Sequence, residues 1–216
     1  MLLNKGAGVY DIFTKVINRK THKKLIETIK GLILPEDDVL ECAYGTGLLT
    51  GVIAENCNSL VVTDFSRRMI EKAEKKYGKF ENVEFEQGNI LKIDYPRETF
   101  DVVVAANVIH LLDEPYKAIS ELYRVCKAGG KIIIPTYMNG TENEKKNGLS
   151  GADYRAGADF KREFTLGTYK QFIKEAGFDD VSYEWCDGKI PCAVAIIKKV
   201  KTKMEPVIAS LINNPE

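Results

Sequence analysis

The chain has 216 residues, with 31 lysines and arginines balancing 31 aspartates and glutamates and with 44% apolar residues. That length supports one large domain with a full core, and the balanced charge leaves no basic field to hold a polyanion, which argues against nucleic acid as the main partner. Met1–Val9 lacks the apolar run of a signal peptide, and the longest apolar run, Val102–Leu112, is broken by Asn107 and His110 and is too short for a bilayer, so a cytoplasmic protein without membrane association is expected.

In chain order, Val9–Asn18 carries Val9, Tyr10, Ile12, Phe13, Val16 and Ile17 at the spacing of an amphipathic helix. A second helix, about Thr21–Lys30, buries Leu25, Ile26 and Ile29 and stops at Gly31; His22, beside Lys23 and Lys24, is expected in solvent. Beyond Pro35 short apolar runs follow at Val39–Cys42, Ser59–Thr63, Val83–Glu86, Phe100–Ala105, Gly130–Pro135, Val181–Cys186 and Ala193–Lys199. Helical segments near Leu48–Glu55, Arg67–Tyr77, Pro115–Val125 and Leu166–Glu175 separate most of them. Continuous apolar strands alternating with helices predict an α/β doubly wound sheet of seven strands, mostly parallel. The link Asp187–Cys192 is too short for a parallel crossover, so the last strand should be antiparallel. Expected boundaries are a single domain over 1–200, with an N-terminal helical cap (1–34), a substrate lid (138–165) and a C-terminal tail (201–216). Cys42, Cys57, Cys126, Cys186 and Cys192 show no CxxC spacing and read as reduced thiols; no metal site is expected.

The stretch Val39–Thr50 reads as a buried strand ending in a carboxylate, Glu41, then a small-residue turn, then a helix start. Gly45 and Gly47 lack Cβ atoms and let a ligand approach the backbone at the positive end of a helix dipole. In open parallel sheets, ligands bind beyond the carboxyl ends of the strands, where the strand order reverses. Asp64 ends the second strand, Gly88-Asn89-Ile90 follows the third, and Asn107 and His110 follow the fourth. An acid at the position of Asp64 is placed to accept both ribose hydroxyls of a nucleotide-like ligand, at about 1.5–3 kcal/mol per bond before ordering costs. A dinucleotide fingerprint needs a third glycine, and that position is Thr50. S-adenosyl-L-methionine fits better.

These residues resemble the class I S-adenosylmethionine-dependent methyltransferases, over about residues 35 to 200. Val39–Thr50 is similar to the first family motif and Val61–Ile70 to its second-strand acid motif. Phe100–Leu112 with Ala118–Lys131 is similar to its fourth- and fifth-strand region, and Gly177-Phe178 to the turn before its sixth strand. The opening, Val9 through His22, is similar to the cap helices of quinone-biosynthesis methyltransferases. The resemblance implies a Rossmann-like fold and an S-adenosyl-L-methionine cofactor. It implies that Glu41, Ala43, Tyr44, Gly45 and Gly47 border the methionine and ribose part and that Asp64 holds the ribose. Phe65 would lie against adenine, Asn89 would face its amine and Ile90 its ring, with Asn107 beside them. The first motif glycine is Ala43 here, tolerable if its φ stays negative, and Tyr44 replaces a small residue, where it would either bond the cofactor carboxylate or narrow the pocket. Asn89 stands where an aspartate is common.

Methyl transfer from a sulfonium is an in-line displacement in which alignment supplies roughly 7–11 kcal/mol. A base is needed only for an acceptor protonated at neutral pH. His110 is the candidate base, Tyr10 a candidate catalytic residue covering the cofactor, and Tyr137, Tyr154 and Arg155 candidate substrate contacts. The expected function is methyl transfer to a small-molecule acceptor by a monomer or homodimer. The alternatives are a non-catalytic S-adenosylmethionine-binding protein, suggested by Ala43-Tyr44, and a nicotinamide-dependent oxidoreductase, disfavoured by Thr50. A protein or RNA methyltransferase is disfavoured by the neutral charge and by Asn107-Val108-Ile109-His110 in place of an Asn-Pro-Pro-Tyr-like element.

Overall fold

A computed structural model describes residues 18–45, 47–139 and 161–200. The expected helix over 9–17, most of the segment 138–165 and the tail 201–216 lie outside the described residues, as do Tyr10, Tyr154 and Arg155. The elements are α1 (Arg19–Lys30), β1 (Asp38–Cys42), α2 (Thr50–Ala54), β2 (Ser59–Asp64), α3 (Arg67–Tyr77), β3 (Val83–Gln87) and β4 (Phe100–Ala105). A 3-10 turn (Ile109–Leu111), α4 (Pro115–Val125), β5 (Cys126–Tyr137), α5 (Leu166–Glu175), β6 (Val181–Cys186) and β7 (Cys192–Lys198) follow.

The strand order is β3-β2-β1-β4-β5-β7-β6, with β1 to β5 parallel and β7 antiparallel to both β5 and β6. The chain winds outward from β1 to β3, then returns to the other side of β1 with β4. This reversal opens a crevice between the carboxyl ends of β1 and β4. Side-chain alternation sends Val39, Val62, Val102, Val104, Ile133 and Val194 into one core layer, under Leu25 and Ile29 of α1 and Ile53 of α2. Leu40, Cys42, Val103, Ala105, Ile132 and Ile134 fill the other, under Ala118, Ile119 and Leu122 of α4 and Phe172 and Ile173 of α5. Both faces are covered, which is why the central strands read as continuous apolar runs.

β5 begins four residues before the expected Gly130, directly out of α4. Phe100 pairs with Cys126, and a register shift lets Val102 pair with Lys131. At the far end β5 outruns β4, so Pro135, which has no N–H, sits beyond the last β4 pair while its carbonyl accepts from Asn107 N at 2.8 Å. Among the described residues no helix is long and apolar enough to cross a membrane.

His22 departs from expectation. It is 8% exposed, and its Nε2 lies 2.7 Å from the Tyr137 hydroxyl. The lysines beside it do face water, but His22, Leu25 and Ile29 share one helical stripe, and that stripe faces the core. The start of α1 is latched to the β6–β7 turn. Asn18 Nδ2 donates to Ile190 O at 2.9 Å, and Asn18 Oδ1 accepts from Ile190 N and from Thr21 Oγ1. Asn18→Ala would leave the part-buried Ile190 N–H without its partner and Ile190 O to Thr21 alone, and urea unfolding should show a loss of about 1–2 kcal/mol.

Candidate active site

The chain leaves β1 through a loop with repeated left-handed residues. Ala43, Gly45 and Gly47 all take positive φ, at 56°, 55° and 65°. Ala43 therefore does not keep the negative φ expected of it. The turn repeats a left-handed step at every second residue, and the alanine takes that step at a cost of roughly 1–2 kcal/mol because its Cβ crowds the carbonyl. Tyr44 N donates to Thr63 O at 3.1 Å, carrying the β1–β2 hydrogen bonding two residues past Cys42.

Tyr44 turns inward. It is 6% exposed, and a Cβ on Gly47 would collide with its ring. Tyr77 packs edge-on against it and donates its hydroxyl to Gly47 O at 2.6 Å. Gly47 is thus glycine to admit an aromatic side chain of its own fold. Gly45 differs: the nearest atom to its missing Cβ is Ala43 O at 3.7 Å, so one side of the loop lies open.

Asp64, at the end of β2, faces that loop. Its Oδ2 accepts from Gly45 N at 3.1 Å and its Oδ1 from Ser66 N at 2.8 Å. A carboxylate has about four lone-pair sites, so two remain for further donors. Phe65, the next residue, is 71% exposed, an apolar ring left bare at the carboxyl edge. Gly88 N donates to Asp64 O, holding the β3 exit beside it. Asn89 is exposed and its Oδ1 accepts from Leu91 N at 2.9 Å, while half-buried Ile90 packs on the core.

Glu41 is buried beneath the loop, and Thr50 Oγ1 donates to its Oε2 at 2.6 Å. Burial pushes the carboxyl up to about 7, partly offset by the Thr50 bond and the charge of Lys76. Thr50 does more than fail a glycine fingerprint: its hydroxyl serves the buried acid. The signal was present as a hydroxyl at the first residue of the helix after a strand-end carboxylate.

Past β4, Asn107 takes φ 53° and its Oδ1 accepts from Tyr137 N at 3.0 Å. His110 is buried in the 3-10 turn. Arg162 donates to the carbonyls of Ile109 and Leu112, and the backbone N–H groups of Lys161 and Arg162 reach His110 O. Burial and the Arg162 charge lower the His110 imidazole to about 4, so it stays neutral at physiological pH and is a weak base. Tyr137, at the tip of β5, and His22 meet at the same edge.

A family model described as a methyltransferase domain matches residues 40–134. The phosphatidylethanolamine N-methyltransferase of Cereibacter sphaeroides is 34% identical over 140 residues, covering 63% of this chain and 65% of that protein. The chain thus spans about two thirds of that relative's length. The demethylmenaquinone methyltransferase of Renibacterium salmoninarum is 23% identical over 222 residues, covering 93% of this chain and 92% of that protein. Among solved structures, a possible histamine N-methyltransferase from Thermotoga maritima matches with a TM-score of 0.67 at 21% identity, covering 92% of this chain and 98% of that one. The chain carries a methyltransferase domain, and its relatives and structural neighbours support a class I S-adenosylmethionine-dependent methyltransferase. Its cofactor is S-adenosyl-L-methionine, and the site fits it. The open side of Gly45, the two spare acceptor positions on Asp64 and the bare Phe65 ring offer one nucleoside a backbone approach, hydroxyl acceptors and an apolar face.

Two outcomes follow for this methyltransferase. Ala43→Gly relieves the left-handed strain and should raise the denaturant midpoint, with a gain of up to about 1 kcal/mol after the entropy of the added glycine. Because the Glu41 carboxyl is raised in the fold, its neutral form contributes stability that is complete below its ordinary 4.5 and lost as pH rises through about 7. Glu41→Gln should match wild type near about pH 4 and exceed it by about 3 kcal/mol near about pH 8, read from urea unfolding at both.

Proposed function

We propose that this chain transfers the methyl group of S-adenosyl-L-methionine to a small-molecule acceptor bound at the carboxyl edge of β4 and β5. The observation that carries this reading is the Asp64 carboxylate pinned to Gly45 N while keeping two acceptor positions. In it, Asp64 receives the ribose hydroxyls, Phe65 covers adenine, and Ile90 and Asn89 border the ring and its amine. Glu41, Ala43, Tyr44, Gly45 and Gly47 shape the methionine end, Tyr44 by narrowing it from inside, and Asn107 sets the floor beside β4. The bound sulfonium supplies an activated methyl carbon. The protein's share is alignment and exclusion of water.

His110 is the weakest of the proposed catalytic residues, since its ring holds a proton poorly in this setting. Its neutral form suits a positioning role at the β4 exit, with Arg162 bracing the turn. The named relatives act on a phospholipid amine and on a quinone precursor, so they support methyl transfer without choosing the nucleophile. We place residues 1–200 in one methyltransferase unit, as monomer or homodimer, with Tyr10 as a candidate catalytic residue covering the cofactor and Tyr137, Tyr154 and Arg155 as acceptor-side candidates. The left-handed Ala43 and the inward Tyr44 favour, as a second reading, a protein that binds the cofactor without transferring its methyl.

Calorimetry should give micromolar binding of S-adenosylhomocysteine, weakened about 10- to 100-fold in Asp64→Ala as charge-assisted bonds are lost, with Asp64→Asn between the two. No heat on folded wild-type protein would sink the cofactor-binding reading. Cofactor binding with no labelled methyl passed to a broad panel of alcohols, thiols, amines and carboxylates would select the second one.

A further inference from the structure

The chain as a whole is neutral, but the fold sorts its charge by face. Three helices, α1, α2 and α3, cover one side of the sheet, with α2 between the other two. The outer surface of α1 carries Arg19, Lys20, Lys23, Lys24 and Lys30 against a single acid, Glu27, and all of these are exposed. That of α3 carries Arg67, Arg68, Lys72, Lys75 and Lys76 against Glu71 and Glu74, again all exposed. α2 has no charged residue, and Glu55 follows it. With ten cations against three acids, α1 and α3 hold an excess of seven positive charges, and the rest of the chain an excess of seven negative ones.

The two faces also differ in how their cations are held. On the opposite face Lys117, Arg124 and Lys174 pair with Glu114, Glu121 and Asp179, and Lys170 lies over the Tyr183 ring. On the α1–α3 face Lys20, Lys23 and Arg67 pair with Asp187, Glu27 and Glu71. Arg19, Lys24, Lys30, Lys72 and Lys75 form no ion pair among the described residues. A surplus that no neighbour neutralises is a standing positive potential, and at physiological salt it extends about 8 Å from the surface.

We infer that the α1–α3 face is a docking surface for an anionic lipid bilayer. Its unpaired ammonium and guanidinium groups complement phosphate-bearing headgroups. The patch spans about 18 Å along α1 and about 20 Å across the three helices, so a flat surface meets all its cations at once. A protein partner would need an apolar centre, and none of the exposed large apolar side chains, Leu34, Phe65, Tyr116 and Val200, belongs to these helices. Single-stranded nucleic acid would need stacking platforms, but the aromatic rings of α1 and α3 are buried His22 and half-buried Tyr77. The apolar stripes of both helices are taken up by the core, so attachment is electrostatic, reversible and sensitive to salt. Both helices begin at the carboxyl edge of the sheet. Arg67 opens α3 just past the end of β2, and the start of α1 is bonded to the β6–β7 turn, beside the end of β5. Docking therefore holds the cofactor crevice at the rim of the contact. The inference is independent of which molecule receives the methyl group.

Flotation of the full chain with lipid vesicles tests this. Phosphatidylcholine vesicles with about 30 mol% phosphatidylglycerol should carry the protein at about 0.05 M salt, and pure phosphatidylcholine vesicles should not. Raising the salt to about 0.5 M should release it, because screening shortens the field. Combined Lys24→Gln, Lys30→Gln and Lys72→Gln should weaken attachment about tenfold or more. Combined Lys117→Gln, Lys170→Gln and Lys174→Gln changes the net charge equally on the opposite face and should leave attachment within about twofold. The proposal is overturned by wild type that stays off the anionic vesicles, attaches equally to pure phosphatidylcholine or remains attached at high salt. It is overturned as well if the first variant loses no more affinity than the second. Tighter binding to mixed-sequence single-stranded RNA than to the vesicles at equal phosphate would make the face a nucleic-acid surface and sink the bilayer assignment.

Discussion

A single carboxylate ties the site together. Asp64 reaches from the end of β2 to the Gly45 N–H, so the loop after β1 is fixed to its neighbouring strand before any ligand arrives. That link ties the left-handed residue Gly45, and with it the loop that carries Ala43 and Gly47, to the neighbouring strand. It also places the open side of Gly45 and the exposed Phe65 ring on one edge, with Glu41 sealed underneath. A preorganised loop spends less of its binding energy on ordering.

The two edges of the sheet divide labour. At the amino ends of the strands, Lys127 bridges Asp101 at 2.7 Å and Asp38 at 3.5 Å, and Asp38 N donates to Asp101 Oδ2. Nearby, the buried Lys199 ammonium caps the carbonyls of Tyr123 and Cys126 and lies over the Tyr123 ring. These charges are satisfied by their neighbours and hold β1, β4, α4 and β7 together. At the carboxyl ends the Asp64 carboxylate instead keeps acceptor positions beyond those that Gly45 and Ser66 fill, beside the exposed Phe65 and Asn89. Groups that the fold satisfies serve stability, and groups that it only orients are available to a ligand.

Much of this was readable from residue order. Apolar runs such as Val102–Ala105 and the short Asp187–Cys192 link sufficed for the sheet and its antiparallel strand, because burial on both faces and loop length are local constraints. Asp64 and Gly45 were legible for the same reason: each is tied to the end of a strand. Three features were not. The sign of φ at Ala43 depends on the loop's repeated hand, and the residue type argues against it. The inward turn of Tyr44 depends on Gly47 and Tyr77, from opposite ends of α2 and α3. His22 looked solvated because its neighbours are lysines, and its true partner lies 115 positions away. Local reading finds what one element dictates; pairings between distant elements need the fold.

The latch at the start of α1 has a bearing on how this chain can change. Asn18 and His22 are one turn apart, the first bound to the hairpin and the second to β5. One residue inserted between them would swing the imidazole about 100° around the helix axis, away from Tyr137. The four-residue step from Asn18 to His22 therefore behaves as a fixed ruler. A homologue that retains both residues yet differs in that interval would have lost the contact while keeping every letter that makes it.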